Sequence, residues 1–516
     1  MFDSNGRSEF EAPRPGRWIG IGMVLVFSSL AVMNAPAQTF TTLYSFCPQT
    51  NCADGTTPSA ALIQATNGSL YGSTLSGGTN NDGTLFRLGT SGQVTTLYSF
   101  CAAGGACPDG FLPDAPLVLG SDGNFYGTTK QGGPNGGGAF FNLSLSGSLT
   151  TIGGFGAAGG PSEPLGLALG ANGTFYGTTS RGGYRERGTV FSITPQGTVT
   201  TLYDFCLTSY CGAGGAFPQA GLAQGTGGEF YGTTTQGGAG VNCPGGSKAG
   251  CGTIFRVSPL GGLTKLYDFC SEARCADGFD PVAPMIQGTD GSFYGTTAQG
   301  GLNNCAVLGS GDYGCGTIFK IGPSGYSVLY RFCPRVGCTD GAVPAAALVQ
   351  GNDGNFYGTA ALGGARGEGT IFKITPAGTF TLLHTFCSQS GCADGAEPTA
   401  ALIQDTNGKF YGTTILGGTS TACPSGCGTA FSFSVGLGEF VLPQPNSGSI
   451  GTPINILGTA LGGATGVTFN GTPATFTVSS NSLITTTVPL GATSGEVDVV
   501  TPHGTIQSNG KFRVVQ

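Results

Sequence analysis

The sequence predicts an all-β protein: a seven-bladed β-propeller closed by its own N-terminal strand, followed by a small antiparallel β-sandwich. Three observations predict it. A version of the phrase F-Y-G-T-T recurs seven times, at Tyr71, Tyr126, Tyr176, Tyr231, Tyr294, Tyr357 and Tyr411, 50 to 63 residues apart. Each recurrence sits inside a unit that reads as four short strands, the signature of a propeller blade. The last unit lacks its fourth strand, and a segment of that type stands alone at the start of the chain.

Within a unit, strand a opens at a proline (Pro58, Pro113, Pro164, Pro218, Pro281, Pro344, Pro398) and is rich in small residues, as in Ala60-Ala61-Leu62-Ile63. A strand's first position tolerates the missing N–H, and small side chains suit a crowded axis. A tight turn follows, such as Asn67-Gly68, Asp122-Gly123 or Asn407-Gly408, with dipeptides suited to a type I′ hairpin. Strand b is F-Y-G-T-T. A glycine pair and a G-T-x-F segment give strand c, ending at Phe86, Phe141, Phe191, Phe255, Phe319, Phe372 and Phe431. Strand d is T-x-L-Y-x-F, ending at Phe100, Phe155, Phe205, Phe269, Phe332 and Phe386. After Phe431 no such segment follows, but Thr39 to Phe46 has its pattern. That strand is expected to complete the seventh blade.

The units occupy residues 38–435. From Gly436 the repeat stops, and residues 436–516 alternate apolar and polar positions in short segments, giving a sandwich of about seven strands. Residues 1–37 read as an export signal: Arg14 and Arg17, an apolar run from Trp18 to Met33, and a small-x-small site at Ala35-Pro36-Ala37. The mature chain is expected to begin near Gln38, secreted or at the cell surface, with no membrane insertion after signal cleavage. Only 9% of residues are charged and the net charge is −7, which argues against nucleic acid, whose phosphates demand Lys and Arg.

The eighteen cysteines fall into nine close pairs. Six follow the phenylalanine that ends a strand d: Cys47/Cys52, Cys101/Cys107, Cys206/Cys211, Cys270/Cys275, Cys333/Cys338 and Cys387/Cys392. Three lie between strands b and c: Cys243/Cys251, Cys305/Cys315 and Cys423/Cys427. Local pairing, an even count and an export signal imply disulfides. With two histidines and no C-x-x-C, no metal and no cofactor are expected. Each bridge closes a short loop and contributes about 2 kcal/mol at best, so the bridges stiffen loops rather than hold the fold.

Two stretches carry a resemblance. P-N-S-G-S-I-G-T-P-I-N-I-L-G, V-T-F-N-G-T-P-A-T-F and V-P-L-G-A-T-S-G-E-V-D-V-V-T-P-H-G resemble an IPT/TIG domain, which implies an immunoglobulin-like fold acting as spacer or partner contact. The F-Y-G-T-T and G-T-x-F repeats resemble the GloVer-type (Gloeobacter/Verrucomicrobia) tandem repeats of bacterial surface proteins. Many members carry a C-terminal anchor segment; this sequence ends at Gln516 in the sandwich, without that apolar tail.

Antiparallel alternation places the a–b and c–d turns on one face and the b–c loops and d-to-a connections on the other. The second face holds every cysteine pair and the length variation, so a binding site is expected there, near the axis. Asp54, Asp109, Asp277, Asp340 and Asp394 recur after the cysteine pairs, each before a glycine, and read as turn caps. The departures from the repeat are the ligand-binding candidates: Lys130, Arg181, Tyr184, Arg185, Glu186, Arg187, Asp312, Tyr313, Arg366 and Glu368, with Lys248 beside them. Arg forks and Tyr rings suit carboxylates and sugars. His384 replaces a strand-d tyrosine and reads as a core variant. The sequence has no G-x-S-x-G, H-E-x-x-H or Walker loop. These features favour a recognition or adhesion protein for an extracellular glycan or protein. The alternatives are a secreted glycoside hydrolase or polysaccharide lyase, whose paired acids leave no linear motif, and a structural surface component without a discrete ligand.

Overall fold

The computed structural model describes residues 38–516 apart from 50, 103, 207–210, 212–213, 240–242, 244–249, 302–304, 306–313, 335–336 and 516. The signal segment expected over residues 1–37, and Lys248, Asp312 and Tyr313, lie outside the described residues. No helix among the described residues is long and apolar enough to cross a membrane.

Between Thr39 and Ser434 the chain forms seven four-stranded antiparallel sheets. Each residue of F-Y-G-T-T has a characteristic partner type, which recurs in most of the sheets. Because side chains alternate across a strand, Phe and Tyr face opposite neighbours. The tyrosine of one blade packs on the strand-b phenylalanine of the next: Tyr71 on Phe125, Tyr126 on Phe175, Tyr176 on Phe230, and onward to Tyr357 on Phe410, with centroids 3.8–4.5 Å apart. The central glycine lies under the strand-c phenylalanine; a Cβ on Gly177 would sit 2.6 Å from the Phe191 ring. The first threonine donates to a strand-a carbonyl of the following blade, as from Thr178 to Ala220 at 2.5 Å. The second pairs with the threonine that opens strand c, as Thr179 with Thr189 at 2.8 Å.

The end of strand d is equally regular. Its phenylalanine meets the strand-c phenylalanine of the next blade, from Phe100 on Phe141 to Phe386 on Phe431, at 5.0–5.6 Å. Aromatic contacts of this kind add about 0.5–1.5 kcal/mol beyond burial, so the repeat works by stacking each sheet on its neighbours.

The last sheet closes the ring as expected. The N-terminal strand Thr39–Ser45 pairs antiparallel with Thr429–Ser434, from Thr39 opposite Ser434 to Ser45 opposite Thr429. It carries a bulge between Thr42 and Tyr44, the irregularity that the c–d pairing has in all six other sheets. Across the seam, Phe46 packs on Phe86 at 5.1 Å, the Thr413 hydroxyl donates to the Pro58 carbonyl at 2.9 Å, and the Gln64 amide bonds Thr406. These are the contacts found between consecutive blades elsewhere.

Strand a departs from expectation. Its regular ladder spans only two residues, such as Ile63–Gln64, and begins five residues after the proline. The missing N–H and the small, crowded residues leave the intervening segment extended but unladdered; an isolated bridge, Thr56 to Ser76, anchors it before the proline. In the third blade the ladder starts earlier, at Pro161, because the cysteine loop is absent there and strand b continues to Gly182 to meet it.

The C-terminal region folds as two four-stranded sheets, Leu442–Gln444, Pro453–Leu457, Leu483–Thr487 and Phe476–Ser480 against Thr472–Pro473, Gly466–Phe469, Val497–Thr501 and Gly504–Gln507. Ser447–Gly448 and Arg513–Val514 add a short parallel pair. Ile456, Leu461, Ile484 and Val497 are fully buried between the sheets. The sandwich lies on the a–b turn face of the propeller. Phe440 donates its N–H to Thr406 at 3.0 Å, Ser482 its hydroxyl to the Thr66 carbonyl at 2.9 Å, and Asn509 its amide to the Gln350 carbonyl at 3.3 Å.

Candidate functional site

The structure puts the b–c loops and d-to-a connections on one face, and the cysteines there form nine disulfides with no free cysteine among the described residues. Six follow a strand d: Cys47 with Cys52, Cys101 with Cys107, Cys206 with Cys211, Cys270 with Cys275, Cys333 with Cys338, and Cys387 with Cys392. Three belong to b–c loops: Cys243 with Cys251, Cys305 with Cys315, and Cys423 with Cys427. Each b–c bridge stands beside a repeat bridge: one sulfur from it lies within 4.8 Å of a repeat cysteine, as Cys427 does of Cys47 and Cys52. The longest loops are therefore braced twice.

The backbone at Cys211, Cys275 and Cys392 corrects the plain loop expected there. Cys275 and Cys392 each end a one-turn 3-10 helix, Ala273–Cys275 and Ser390–Cys392. Their N–H groups donate back to Glu272 and Gln389, each at 3.1 Å. Cys211 is left-handed at φ 47°, and so are Cys275 at 51° and Cys392 at 54°. All twelve repeat cysteines share this conformation, with φ between 45° and 63°. The physical reason is length. A bridge spanning five or six residues must reverse the chain within about one turn, and left-handed residues at both ends supply the reversal that extended ones cannot. The pair spacing in the sequence shows that a bridge can form, but not the turn it demands.

The recurring aspartates are turn caps. Asp54 accepts from the Cys47 N–H at 2.9 Å and the Tyr44 hydroxyl at 3.0 Å. Asp109 repeats this with Cys101 and Tyr98, and Asp340 with Cys333 and Tyr330. Asp277 takes Tyr267, Ser271 and Glu272. Burial first, and then the neighbouring carboxylate, raise Tyr44, Tyr98 and Tyr267; Tyr98 is pushed up to about 12, so these three stay protonated and donating. In the sixth blade His384 takes the tyrosine's place, 3.5 Å from Asp394 and stacked on Phe40 at 4.0 Å. Burial lowers its pKa, against the pull of Asp394. His384→Tyr restores the hydroxyl donor of the other blades and is expected to raise stability by about 1 kcal/mol, read as a higher denaturant midpoint.

A different ring presents variable side chains. The residue before each strand-a proline, Thr57, Leu112, Glu163, Phe217, Asp280, Val343 and Glu397, is left-handed, with φ between 52° and 60°. A residue before proline is ordinarily extended, and this conformation costs about 1–3 kcal/mol per site. It persists because neighbours pin it. In six blades the N–H donates to a b–c loop carbonyl of the preceding blade: Thr57 to Cys427, Leu112 to Asp82, Glu163 to Gly137, Phe217 to Arg187, Val343 to Cys315 and Glu397 to Glu368, at 2.8–3.1 Å. In six the carbonyl accepts from the end of its own strand b, as from Lys130 to Leu112 at 3.0 Å. All seven side chains are half-buried. They open the innermost strand, so they encircle the axis on the braced face. Polar and apolar residues alternate around them.

Several candidates converge on this ring. Arg181 ion-pairs with Glu163 at 3.1 Å, and the Ser180 hydroxyl donates to the same carboxylate at 2.9 Å. The Arg187 guanidinium lies over the Phe217 ring at 4.7 Å. Glu368 and Glu397 share a cleft of about 870 Å³ with Ser390, Leu416 and Ser420. Burial, and then Glu368, raise the Glu397 carboxyl. Burial also raises Asp280, against a bond from the Gln299 amide at 3.1 Å. Glu186 is turned back on its own loop, accepting from the Gly182 N–H at 3.0 Å. Tyr184 is 78% exposed, and Arg185 and Arg366 are exposed, without an ion pair among the described residues.

The repeats that build this face match the model of the Gloeobacter/Verrucomicrobia repeat over residues 29–243 and 240–478. The chain belongs to the Gloeobacter/Verrucomicrobia repeat family. The C-terminal region of this repeat protein matches the IPT/TIG domain over residues 443–514. Its solved structural likenesses include virginiamycin B lyase from Staphylococcus aureus, at 14% identity over 77% of this chain and 99% of the other, TM-score 0.48. They also include a fungal alcohol oxidase of the AA5 family in complex with copper, at 13% identity over 94% and 100%, TM-score 0.49. A third is the extracellular domain of a hybrid two-component system from B. thetaiotaomicron, at 11% over 90% and 55%, TM-score 0.47. No curated protein matches the repeat protein.

Sequence reading picked out Arg181, Arg187 and Glu368 by their charge. It missed their partners Glu163, Phe217 and Glu397 because each precedes a proline and reads as routine turn sequence. A signal was available: in the G-x-x-P stretch that opens most units, this position changes identity from unit to unit while glycine and proline stay.

Proposed function

We propose that this repeat protein is a secreted or cell-surface recognition protein whose braced face binds an extracellular glycan or protein at the pre-proline ring. One observation carries the reading: a strained backbone, held by recurring hydrogen bonds around the axis, presents a different side chain at almost every position. Strain held by surrounding structure is a mark of functional positions, and a rigid scaffold with variable side chains is how recognition surfaces are built. Nine disulfides fit an oxidising, extracellular setting. Phe217 under Arg187 is the expected anchor, an aromatic and an arginine together.

The test is a panel of glycans and extracellular proteins, followed by Phe217→Ala and Glu397→Gln. Each is expected to weaken the bound partner by roughly tenfold or more, with unchanged melting. Leu260→Ala, at a 95% exposed position on the opposite face, is expected to leave binding intact. Binding indifferent to the ring variants sinks the proposal, and a silent panel favours a structural component.

A second reading rests on Glu397 and Glu368. Two neighbouring carboxyls in one cleft, one raised by burial, are the material for acid and base roles in glycoside hydrolysis. Product release from a polysaccharide, abolished in Glu397→Gln while binding survives, would establish it.

A further inference from the structure

The a–b turn face, opposite the braced loops, carries a cleft of its own. The sandwich covers this face at the first, sixth and seventh blades and leaves a hollow of about 460 Å³ over the fourth to sixth. Cavities of this size between domains are common binding sites.

The floor is an array of amides and hydroxyls repeated at the period of the blades. Gln287 accepts from the Thr226 N–H at 2.8 Å and donates to the Gly291 carbonyl at 3.0 Å. One blade on, Gln350 accepts from the Thr289 N–H at 2.9 Å and donates to the Thr289 hydroxyl at 3.2 Å. Each glutamine thus locks its blade to the preceding one and fixes the threonine at the floor. Gln224 ends the series. The position in the preceding blade that would supply its threonine partner is Ala171, which has no hydroxyl, and among the described residues no hydrogen bond occupies the Gln224 amide.

The wall is cationic. Lys511 and Arg513 stand two residues apart, flanking the buried Phe512, so both project from the side of the strand away from the sandwich core, into the cleft. Neither belongs to any of the six ion pairs among the described residues. No carboxylate lines the cleft. Two acids of the adjoining turns are already matched: Glu229 with Arg256 at 3.1 Å and Asp290 with Lys320 at 2.8 Å. Asp353 is held by Tyr357 and Asn355, outside the cleft. In a chain of net charge −7, a concave site with two unpaired cations and no acid selects an anion.

We infer that this cleft binds a carboxylate-bearing saccharide, a uronic acid oligomer. Arg513 and Lys511 take the carboxylate, since an arginine fork matches its two oxygens. With both N–H groups of Gln287 and of Gln350 engaged in these locks, the threonine hydroxyls they fix at the floor and the Gln224 amide take the sugar hydroxyls, and their spacing by blade suits a chain of sugar units. The cleft has no aromatic lining, so charge and hydrogen bonds carry recognition.

The probe is a defined oligogalacturonate, compared by calorimetry with its fully methyl-esterified form, a sulfated oligosaccharide and a neutral galactan. Binding is expected for the free acid, to weaken with added salt, and to be lost on esterification. Lys511→Gln with Arg513→Gln is expected to reduce it at least tenfold, with unchanged melting. Phe217→Ala on the opposite face is expected to leave it intact, which separates this site from the one proposed above. Equal binding of acidic and neutral saccharides, preference for the sulfated probe, indifference to the double substitution, or no binding of the free acid would each overturn the inference.

Discussion

Phe46→Ala is expected to destabilise the protein by about 3–5 kcal/mol. Phe46 is fully buried and comes from the N-terminal strand, yet its ring packs against Phe86 of the first blade at 5.1 Å and against Tyr44 at 5.3 Å. It therefore holds the junction that turns a stack of seven sheets into a ring. The same contact recurs at six other junctions, so Phe269→Ala, which removes the ring facing Phe319 at 5.6 Å, is expected to cost a similar amount. Removing the strand itself distinguishes the seam. A chain beginning after Phe46 loses the ladder to Thr429–Ser434 and the stack of Phe40 on His384. It also bares a strand edge that carries Phe431 and Phe433, an invitation to pair with other chains. Such a chain is expected to aggregate or unfold, and a peptide of residues 38–46 added in trans is expected to restore the monomer. Denaturant titration of the point variants and size-exclusion chromatography of the truncation read these outcomes. A truncated chain as stable and monomeric as the parent contradicts the closure.

Asp405→Asn is expected to stabilise the protein at neutral pH and to flatten its stability between pH 4 and 6. Asp405 occupies a position where the other blades have glycine or alanine, such as Ala65 or Gly351. It is 1% exposed, and the run into the sandwich lies over its turn, with Phe440 bonded to the Thr406 carbonyl. One carboxylate oxygen accepts from the Asn407 N–H at 2.9 Å, and the other has no partner among the described residues. Burial raises its pKa from 3.8 to about 6, against the pull of the Asn407 N–H. Between these values the native state holds a proton that the unfolded chain has released. Stability therefore falls as pH rises through that window, by about 3 kcal/mol for a shift of two pK units. The lowered His384 works in the opposite direction: its native state resists protonation, so it takes stability away as pH falls below its ordinary range. His384 is common to both proteins, and the difference between variant and parent isolates Asp405. That difference is expected to be small at pH 4 and to reach about 2–3 kcal/mol at pH 7. A difference independent of pH overturns the assignment.

The blades were legible in the sequence because their contacts are nearest-neighbour contacts. Tyr126 meets Phe175 for the same reason that Tyr357 meets Phe410, so one repeat, read seven times, contains the packing rule. Ring closure was legible too, since the strand-d pattern missing after Phe431 reappears before Cys47. In the sandwich, alternation marks strands such as Gly466–Phe469, whereas at Leu442–Gln444 and Gly504–Gln507 Pro443 and the short turn after Thr501 break it. The beginning of strand a was misread, as proline marks where the chain becomes extended, not where its ladder bonds begin. The short helices ending at Cys275 and Cys392 were read as loops, because three residues are too few to show a period.

The candidate site was half legible. Charge singled out Arg181 and Arg187 in a charge-poor chain, but nothing local ties Arg187 to Phe217 or Glu368 to Glu397, which meet only when consecutive blades stack. The left-handed backbone before each proline runs against local preference, and in six blades a hydrogen bond to the preceding blade helps to hold it. The docking of the sandwich over Asp405 and Thr406, and the cationic cleft it creates, depend on two surfaces that occur once each and leave no periodic trace. Sequence by itself determined what repeats: the four-strand unit, its sevenfold recurrence, the closing strand and the braced face. Tertiary structure alone decided what converges: the side chains around the axis, and the face that the sandwich covers. Repeated contacts are written into every copy of the motif, whereas a site assembled from different copies depends on the ring that brings them together.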